Sequence, residues 1–388
     1  MQSSVASPYH VRFIDSITAV AASTWDALAG TNYPFMRHAF LAALEHTGCT
    51  TARTGWQPLH AIVESGDRIV GVMPLYAKTN SMGEYVFDWA WADAYQRHGL
   101  PYYPKLLTAI PFTPCAGPRL CSAADVDLTA LVPVVQQAVL AKCEQLGASS
   151  WHVLFPQEDL RDLLVGEKQL LRTGCQYQWF NNDYADFDAY LATFASRKRK
   201  NLRKERSAVQ EAGITLHTLE GAQVSVDQWE QFYEFYASTY FVRGRRPYLN
   251  TGFFLELGRR MPDQLMLVLA TRADKAIAGA LFFKGSDTLY GRYWGCAEDV
   301  PFLHFEACYY QGIDYCIRHG LKRMDSGAQG EHKIQRGFAP VPTWSTHWIA
   351  RPDFRRAIGD YVKEEAAHIG DYMEQAADYL PFRKDLQL

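Results

Sequence analysis

The sequence has no long apolar run, no strong charge of either sign and no paired-cysteine spacing. None of its apolar stretches approaches membrane-spanning length, so no membrane insertion is expected. Its first residues lack a basic segment followed by an apolar one, the pattern of a secretory signal. A formal net charge of −3 over 388 residues excludes a global attraction to nucleic acid, DNA included, or to a membrane, so any basic partner site must be local. The eight cysteines, at 49, 115, 121, 143, 175, 296, 308 and 316, include no CxxC pair, which argues against a disulfide scaffold or a zinc site. Cys308 and Cys316 fall inside a helix pattern, as small buried hydrophobes do. A cytoplasmic protein with no metal and no tightly bound cofactor is expected.

Apolar residues make up 48% of the chain and aromatics 14%, ample for packed cores, and the length predicts about two domains. In the first half, Val11–Ile17 reads as a strand, Ser23–Leu28 and Pro34–His46 as helices, and Leu59–Val63 with Arg68–Tyr76 as a hairpin turning at Glu64–Asp67. Glu84–Trp89 reads as a further strand, with Asp88 among aromatics near its end. Tyr95–Leu120 is too rich in proline for a helix and reads as a rigid loop that covers or forms a pocket. Asp127–Leu146 is an amphipathic helix closed by Gly147, and Ser150–Phe155 a buried strand. The second half repeats this order: Leu59–Gly71 aligns without gaps on Leu267–Gly279, and both hairpins lead to an aromatic strand, a Gly-closed helix and a strand. An internal duplication is expected, with a boundary near Cys175–Asp186, domains over 8–178 and 179–388, and a C-terminal helix over 352–380.

Unusual chemistry is concentrated between Leu289 and Phe338. Leu289-Tyr-Gly-Arg-Tyr-Trp-Gly295 suits a strand with close backbone approach at its end. Phe305, Tyr309, Ile313, Cys316 and Ile317 repeat at helical spacing up to Gly320. Leu321–Met324 is then a short strand and Asp325–Gly330 a loop at its carboxyl end, where open α/β sheets place ligands. Glu331, His332, Lys333 and Arg336 follow directly. His304 and Glu306 sit at the start of the helix, where a carboxylate either caps the dipole, worth about 0.3–1 kcal/mol, or takes a proton from an attacking amine. Lys333 and Glu306 are expected to pair when no substrate is bound.

Residues 186–213 read as one helix carrying Arg197-Lys-Arg-Lys-Asn-Leu-Arg-Lys-Glu-Arg206. At roughly 100° per residue, Lys198 falls in the apolar stripe of Phe187, Leu191, Ala195, Leu202 and Val209. A cation there needs a partner, either Glu205 or a bound phosphate or carboxylate.

These stretches together resemble the FemAB-like family of N-acyltransferases, also described as peptidoglycan biosynthesis/recognition proteins. The resemblance is carried by Ser196–Arg206, Leu289–Gly295, Leu303-His-Phe-Glu306, Gly327-Ala-Gln-Gly-Glu-His-Lys333 and Arg336-Gly-Phe338. In the first half, Pro111–Arg119 and Trp151–Pro156 look similar too. It implies an α/β protein of two tandem GNAT-like domains, with mixed, mostly antiparallel sheets flanked by helices. The implied activity transfers an acyl or aminoacyl group from acyl-CoA or aminoacyl-tRNA to an amine of a small-molecule or peptide acceptor. In the Fem ligases a lysine near the final glycine-rich loop supports the reacting carbonyl, and Lys333 is similar in position. Arg292-Tyr-Trp-Gly-Cys-Ala297 fits the letters of the acyl-CoA pyrophosphate motif, but it lies in a strand well before the helix, whose first turn carries Glu306.

The catalytic candidates are therefore Glu306 or His304 as base and Lys333, with backbone N–H groups of Gly327–Gly330, as oxyanion stabiliser. Arg197, Lys198, Arg199 and Arg203 are candidates for an anionic substrate, with Asp88 and Arg119 from the first half. Arg292, Tyr293, Trp294, Asp325, Gly327, Gln329, Glu331, His332 and Arg336 complete the candidate substrate site. The competing reading is a non-catalytic module that recognises an anionic glycopeptide or nucleotide-linked ligand through the same residues. A third candidate partner, tRNA, rests on the Arg/Lys run.

Overall fold

The computed structural model describes residues 7–328 and 330–384. The chain forms two compact units, Met1–Gly174 with Thr343–Ile369, and Cys175–Pro342 with Gly370–Leu388. Residues 343–369, expected with the second half, thus belong to the first unit.

In the first unit, β1 (His10–Ile14), β3 (His60–Ser65), β4 (Arg68–Met73) and β7 (Cys121–Ser122) form an antiparallel sheet. β2 (Trp56–Pro58), β5 (Tyr76–Lys78), β6 (Lys105–Thr108) and β8 (Ser150–Leu154) are ordered β2-β5-β6-β8, and β8 pairs antiparallel with residues 345–349. β6 and β8 run parallel, joined by α4 (Leu128–Leu146), whose apolar stripe of Leu131, Val135 and Val139 is buried. Asp127 caps that helix by accepting from the Thr129 N–H, and Gly147 ends it in the left-handed region, both as the sequence predicts. The expected strand Glu84–Trp89 does not form: Trp89 instead opens α3 (Trp89–Arg97). The loop read as Tyr95–Leu120 therefore begins as helix, and it contains β6.

The second unit takes in β9 (Gln169–Phe180) from Cys175 onward. Its strands β10 (Ile214–Glu220), β11 (Leu265–Arg272), β12 (Lys275–Lys284) and β13 (Thr288–Cys296) are successive antiparallel neighbours. β14 (Arg323–Asp325) runs parallel to β13 and antiparallel to β9. On one face lie α8 (Val226–Phe241) and α9 (Thr251–Arg260), where Phe232, Tyr236 and Phe254 pack ring against ring. The β13–β14 crossover is one helical run: α10 (Leu303–Phe305), a π-helical turn Glu306–Tyr310, and α11 (Gln311–His319). Ala307, Tyr310, Ile313 and Cys316 bury its inner stripe against Phe282 and Met324.

The helix expected over 186–213 is two, α6 (Phe187–Ala192) and α7 (Ser196–Glu211). The C-terminal segment breaks it: the Ala195 N–H donates to Pro381 O at 2.9 Å, and the Arg383 N–H to Thr193 O at 2.9 Å. A long-range backbone pairing overrides local propensity here. The last helix, α12 (Pro352–Asp378), lies as expected.

Both matched stretches are hairpins, but their register differs from the gapless alignment. The two-residue turns are Gly66–Asp67 and Ala273–Asp274, and the bulged residues are Val70 and Ile277. Structural equivalence is thus offset by one residue from letter identity. Gly71 corresponds to Ala278, not to Gly279, and a one-residue slip exchanges sheet faces.

Candidate functional site

The second unit brings half of the predicted residues together at the carboxyl end of β13 and β14: His304, Glu306, Lys333, Arg292, Trp294, Asp325, Gly327, His332 and Arg336. Two consecutive residues of α7 each make a buried ion pair. Arg206 donates from Nε and Nη2 to the two carboxylate oxygens of buried Glu306, at 3.1 and 3.0 Å. Gln311 Nε2 adds a third bond at 2.8 Å, and the Phe187 ring backs the guanidinium at 4.3 Å. Its neighbour Glu205 accepts from Arg336 Nη2 at 2.9 and 2.8 Å and from the Tyr310 hydroxyl. Arg336 lies 3.5 Å over the Phe305 ring and donates to His332 O at 2.8 Å. These two crossed pairs fasten α7 to the helical run and to the loop after β14. The planar, bidentate contact of Arg206 with Glu306 is what arginine supplies and lysine does not.

The expected Lys333–Glu306 pair is absent because Glu306 is already saturated. Lys333 is buried and donates instead to Ser326 O at 3.1 Å and Gly327 O at 2.8 Å. It thereby ties down the glycine-bearing loop from inside. The Gly327 N–H donates to Asp325 Oδ1 at 2.8 Å, so that amide is taken and is not an oxyanion donor. Burial raises the pKa of Asp325, with the Gly327 amide and Arg292 opposing. Arg292 lies against Gly327, where an added Cβ would stand 3.2 Å from Nη1.

His304 faces the same cluster. Its ring meets Trp294 at 5.3 Å, Tyr309 at 5.4 Å and His332 at 6.1 Å, and among the described residues it makes no hydrogen bond. Burial pushes its pKa down to about 4, helped by His332, Lys333 and Arg336. The ring is neutral at pH 7 with both nitrogens unengaged by protein. His332, bonded through Nε2 to the Tyr309 hydroxyl at 2.8 Å, is also shifted down by burial and by the same cations.

Other candidates fall elsewhere. Tyr293 points to the opposite face of β13, among Tyr236, Phe254 and Phe283. Glu331 accepts from the Tyr372 hydroxyl at 2.9 Å on the surface, and Gln329 lies outside the described residues. Lys198 is only half buried and donates to Gln335 Oε1 at 2.8 Å. It pairs neither with Glu205 nor with another carboxylate, because the break before α7 turns that helix out of the phase of α6. Arg197 is exposed, Arg199 half-buried, and Arg203 pairs with Asp188 at 2.9 Å on the surface.

Asp88 and Arg119 are interior residues of the first unit. Arg119 is fully buried and spends its guanidinium on the carbonyls of Leu154, Pro118 and Cys115, at 2.8, 3.0 and 2.7 Å, so its role is to hold a loop. Asp88 belongs to a buried polar network that the sequence reading missed. It accepts from the Tyr102 hydroxyl at 2.6 Å and from Lys105, which also donates to Glu84 at 2.8 Å. Tyr102 reaches His152, which contacts His347, itself packed edge-on to Trp91. Two lysines in successive short strands between apolar residues, Lys78 and Lys105, were the available signal. Among the described residues no group of His, Cys, Asp and Glu is arranged to hold a metal, and no helix is long and apolar enough to cross a membrane.

Comparison with known proteins agrees with this architecture. The crystal structure of FemX superposes with a TM-score of 0.52 at 12% identity, covering 88% of this chain and 98% of that one. The C-terminal domain of a putative lysylphosphatidylglycerol synthetase from Agrobacterium fabrum gives 0.53 at 12% identity, covering 88% and 95%. At such identity the likeness is one of fold. No curated protein sequence matches the chain. The family model for FemAB-like proteins, described as peptidoglycan biosynthesis/recognition, matches residues 16–384, and with nearly the whole chain covered, this protein belongs to the FemAB-like family.

Proposed function

We propose that the protein is an N-acyltransferase that moves an acyl or aminoacyl group from an activated donor to an amine, with His304 as the base. The observation that carries this reading is the neutral, unbonded His304 ring beside the buried cation Lys333. Glu306, the alternative base, has both oxygens already accepting from Arg206 and Gln311, so neither faces an incoming amine unengaged.

In the proposed reaction the amine nitrogen attacks the donor carbonyl carbon, and its surplus proton passes to His304. The charge on the carbonyl oxygen is held by the field of Lys333 and Arg336. That negative charge also raises the basicity of His304 when it is needed. When the carbon–sulfur or carbon–oxygen bond to the donor breaks, the leaving thiolate or ribose alkoxide takes the proton from His304 and departs as the thiol or hydroxyl. Arg292 and Trp294 would line the acceptor side, and exposed Arg197 with Arg199 and Arg203 would hold the anionic part of the donor. Membership of the FemAB-like family is the reason to offer an aminoacyl-tRNA donor beside a CoA thioester.

The test is acyl transfer to an amine with each donor class in parallel, comparing wild type with His304→Ala. Loss of roughly 10²–10⁴ in turnover with donor binding retained supports the reading. Turnover unchanged in His304→Ala removes His304 as the base. Ligand binding without turnover in the wild type points to the recognition module instead.

A further inference from the structure

The carboxyl-terminal tip of α8 takes no part in the site described above, and its surface is at odds with solvent. Phe241 is 61% exposed and Val242 87%, the latter the most exposed large hydrophobic side chain among the described residues. They are adjacent, and Arg243, Arg245 and Arg246 follow, all exposed. Residues 235–250 carry these three arginines and no carboxylate. Among the described residues no side-chain hydrogen bond or ion pair engages any of the three. In a chain of net charge −3, this is the local basic patch that the composition left open.

The tip is not a loose end. Ser225 and Gln228 form a capping box at the start of α8, and Trp229, Phe232, Phe235 and Tyr236 bury its inner face. The chain then folds back tightly: the amides of Arg243 and Arg245 both donate to Tyr240 O at 3.0 Å, and Gly244 adopts φ 65°. Tyr240 is wedged against the rings of Tyr236 and Tyr248 at 5.1 and 5.6 Å. An apolar pair is thus held out rigidly at the end of a helix, ringed by cations. Isolated exposed apolar side chains are ordinary, but this adjacency with guanidiniums is the pattern of an interfacial anchor.

We propose that this tip docks the protein onto an anionic membrane surface, Phe241 and Val242 entering the headgroup boundary and Arg243, Arg245 and Arg246 engaging lipid phosphates. This is a surface contact, not a span, and it does not depend on the transferase reading. Charge complementarity selects anionic lipid, and the apolar pair selects lipid over RNA, since phosphate contacts alone would leave Phe241 and Val242 in water. The tip adjoins β13: Ser238 Oγ donates to Cys296 O at 3.1 Å, at the end of the strand from which the chain runs on to His304. An acceptor amine borne by an amphiphile would be presented there.

The experiment is co-sedimentation of the full chain with vesicles of phosphatidylglycerol and phosphatidylcholine, and with phosphatidylcholine alone, at low and high salt. The wild type is expected to bind the anionic vesicles and to release as salt rises. Each arginine near such a surface is worth about fivefold in binding, so Arg243→Gln, Arg245→Gln and Arg246→Gln combined should weaken it on the order of a hundredfold. Phe241→Ser with Val242→Ser should abolish it at unchanged melting temperature, and Phe241→Trp should be quenched by brominated lipid. No binding to anionic vesicles, or binding indifferent to the serine pair, overturns the proposal. Tighter binding to RNA than to vesicles, or self-association through the tip in ultracentrifugation, overturns it in favour of that partner.

Discussion

Arg206 holds Glu306 side-on, Nε to one carboxylate oxygen and Nη2 to the other, inside a helical run that leaves α-geometry at that residue. The π turn begins with Glu306, so an extra residue's width is inserted where the carboxylate must face α7. Removing one partner of a buried pair leaves the other charge uncompensated, which costs about 3–5 kcal/mol. Arg206→Leu is therefore expected to lower stability by that order in urea unfolding, and Arg206→Leu with Glu306→Leu to recover much of it. Additive losses in the double variant would show that the pair is not coupled.

Glu306→Gln separates the two candidate bases. The amide keeps a bond to Arg206 and is neutral, so stability falls less than in Arg206→Leu. Turnover should fall far less than the roughly 10²–10⁴ expected of His304→Ala. A Glu306→Gln enzyme as inactive as His304→Ala would restore the carboxylate as base.

The same histidine gives a pH signature. Its folded pKa, about 4, lies below its ordinary value of 6.5, so the unfolded chain binds the proton first. Stability from this group is present above pH 6.5 and is lost as pH falls from 6.5 through 4. His304→Asn should flatten that acid limb by roughly 2 kcal/mol, measured as the difference in unfolding free energy between pH 7 and pH 4. An unchanged limb means His304 is solvated in the folded protein.

Sequence periodicity located the helical run, the loop after β14 and the hairpins, because each is set by local pattern. It placed His304, Glu306 and Lys333 in one strand–helix–strand unit for the same reason. It failed where distant segments decide. The phase argument for Lys198 assumed one helix over 186–213, and the segment around Phe382, paired with Phe194, breaks it. Glu205 is one of the two partners the sequence offers Lys198, being on the same helix, yet it pairs with Arg336, 131 residues away. The hairpin match was real in order and wrong in register, since letters do not reveal where the bulge falls. The partners of the buried first-unit lysine were illegible for a similar reason, since Glu84, Asp88 and Tyr102 come from loops that meet Lys105 and His152 only through tertiary packing.

That network predicts an opposite pH response. Lys105 sits fully buried between Glu84 and Asp88, so Lys105→Met should destabilise by about 3–5 kcal/mol. Burial raises Glu84 from 4.5 to about 7 despite Lys105. The folded state therefore keeps that proton after the unfolded chain has lost it, and stability declines as pH rises from 4.5 through 7. Glu84→Gln should remove that decline in chemical unfolding, with no effect on the acid limb of His304. A steeper decline in Glu84→Gln would mean that Glu84 is ionised throughout.

Gly295 distinguishes a donor-binding glycine from a packing glycine. In Arg292-Tyr-Trp-Gly-Cys-Ala297 it occupies the place of a pyrophosphate-loop residue, and on that reading an added methyl would weaken donor binding in a stable protein. In the fold it stands in β13 under α8, where a Cβ would lie 1.8 Å from the Phe235 carbonyl oxygen and 2.6 Å from the Tyr236 amide nitrogen. Both are backbone atoms of a helix fixed by its own buried aromatics, so neither can swing aside. Overpacking of a core ordinarily costs about 1–3 kcal/mol, and a clash with helix backbone belongs at or above the top of that range. Gly295→Ala is expected to unfold at markedly lower urea or to be insoluble. Gly291→Ala, which would meet side chains alone, the Phe282 ring at 3.3 Å and Met324 Cε at 3.6 Å, should be far milder. A Gly295→Ala protein with wild-type stability and a raised KM for a CoA thioester would return this glycine to the donor site.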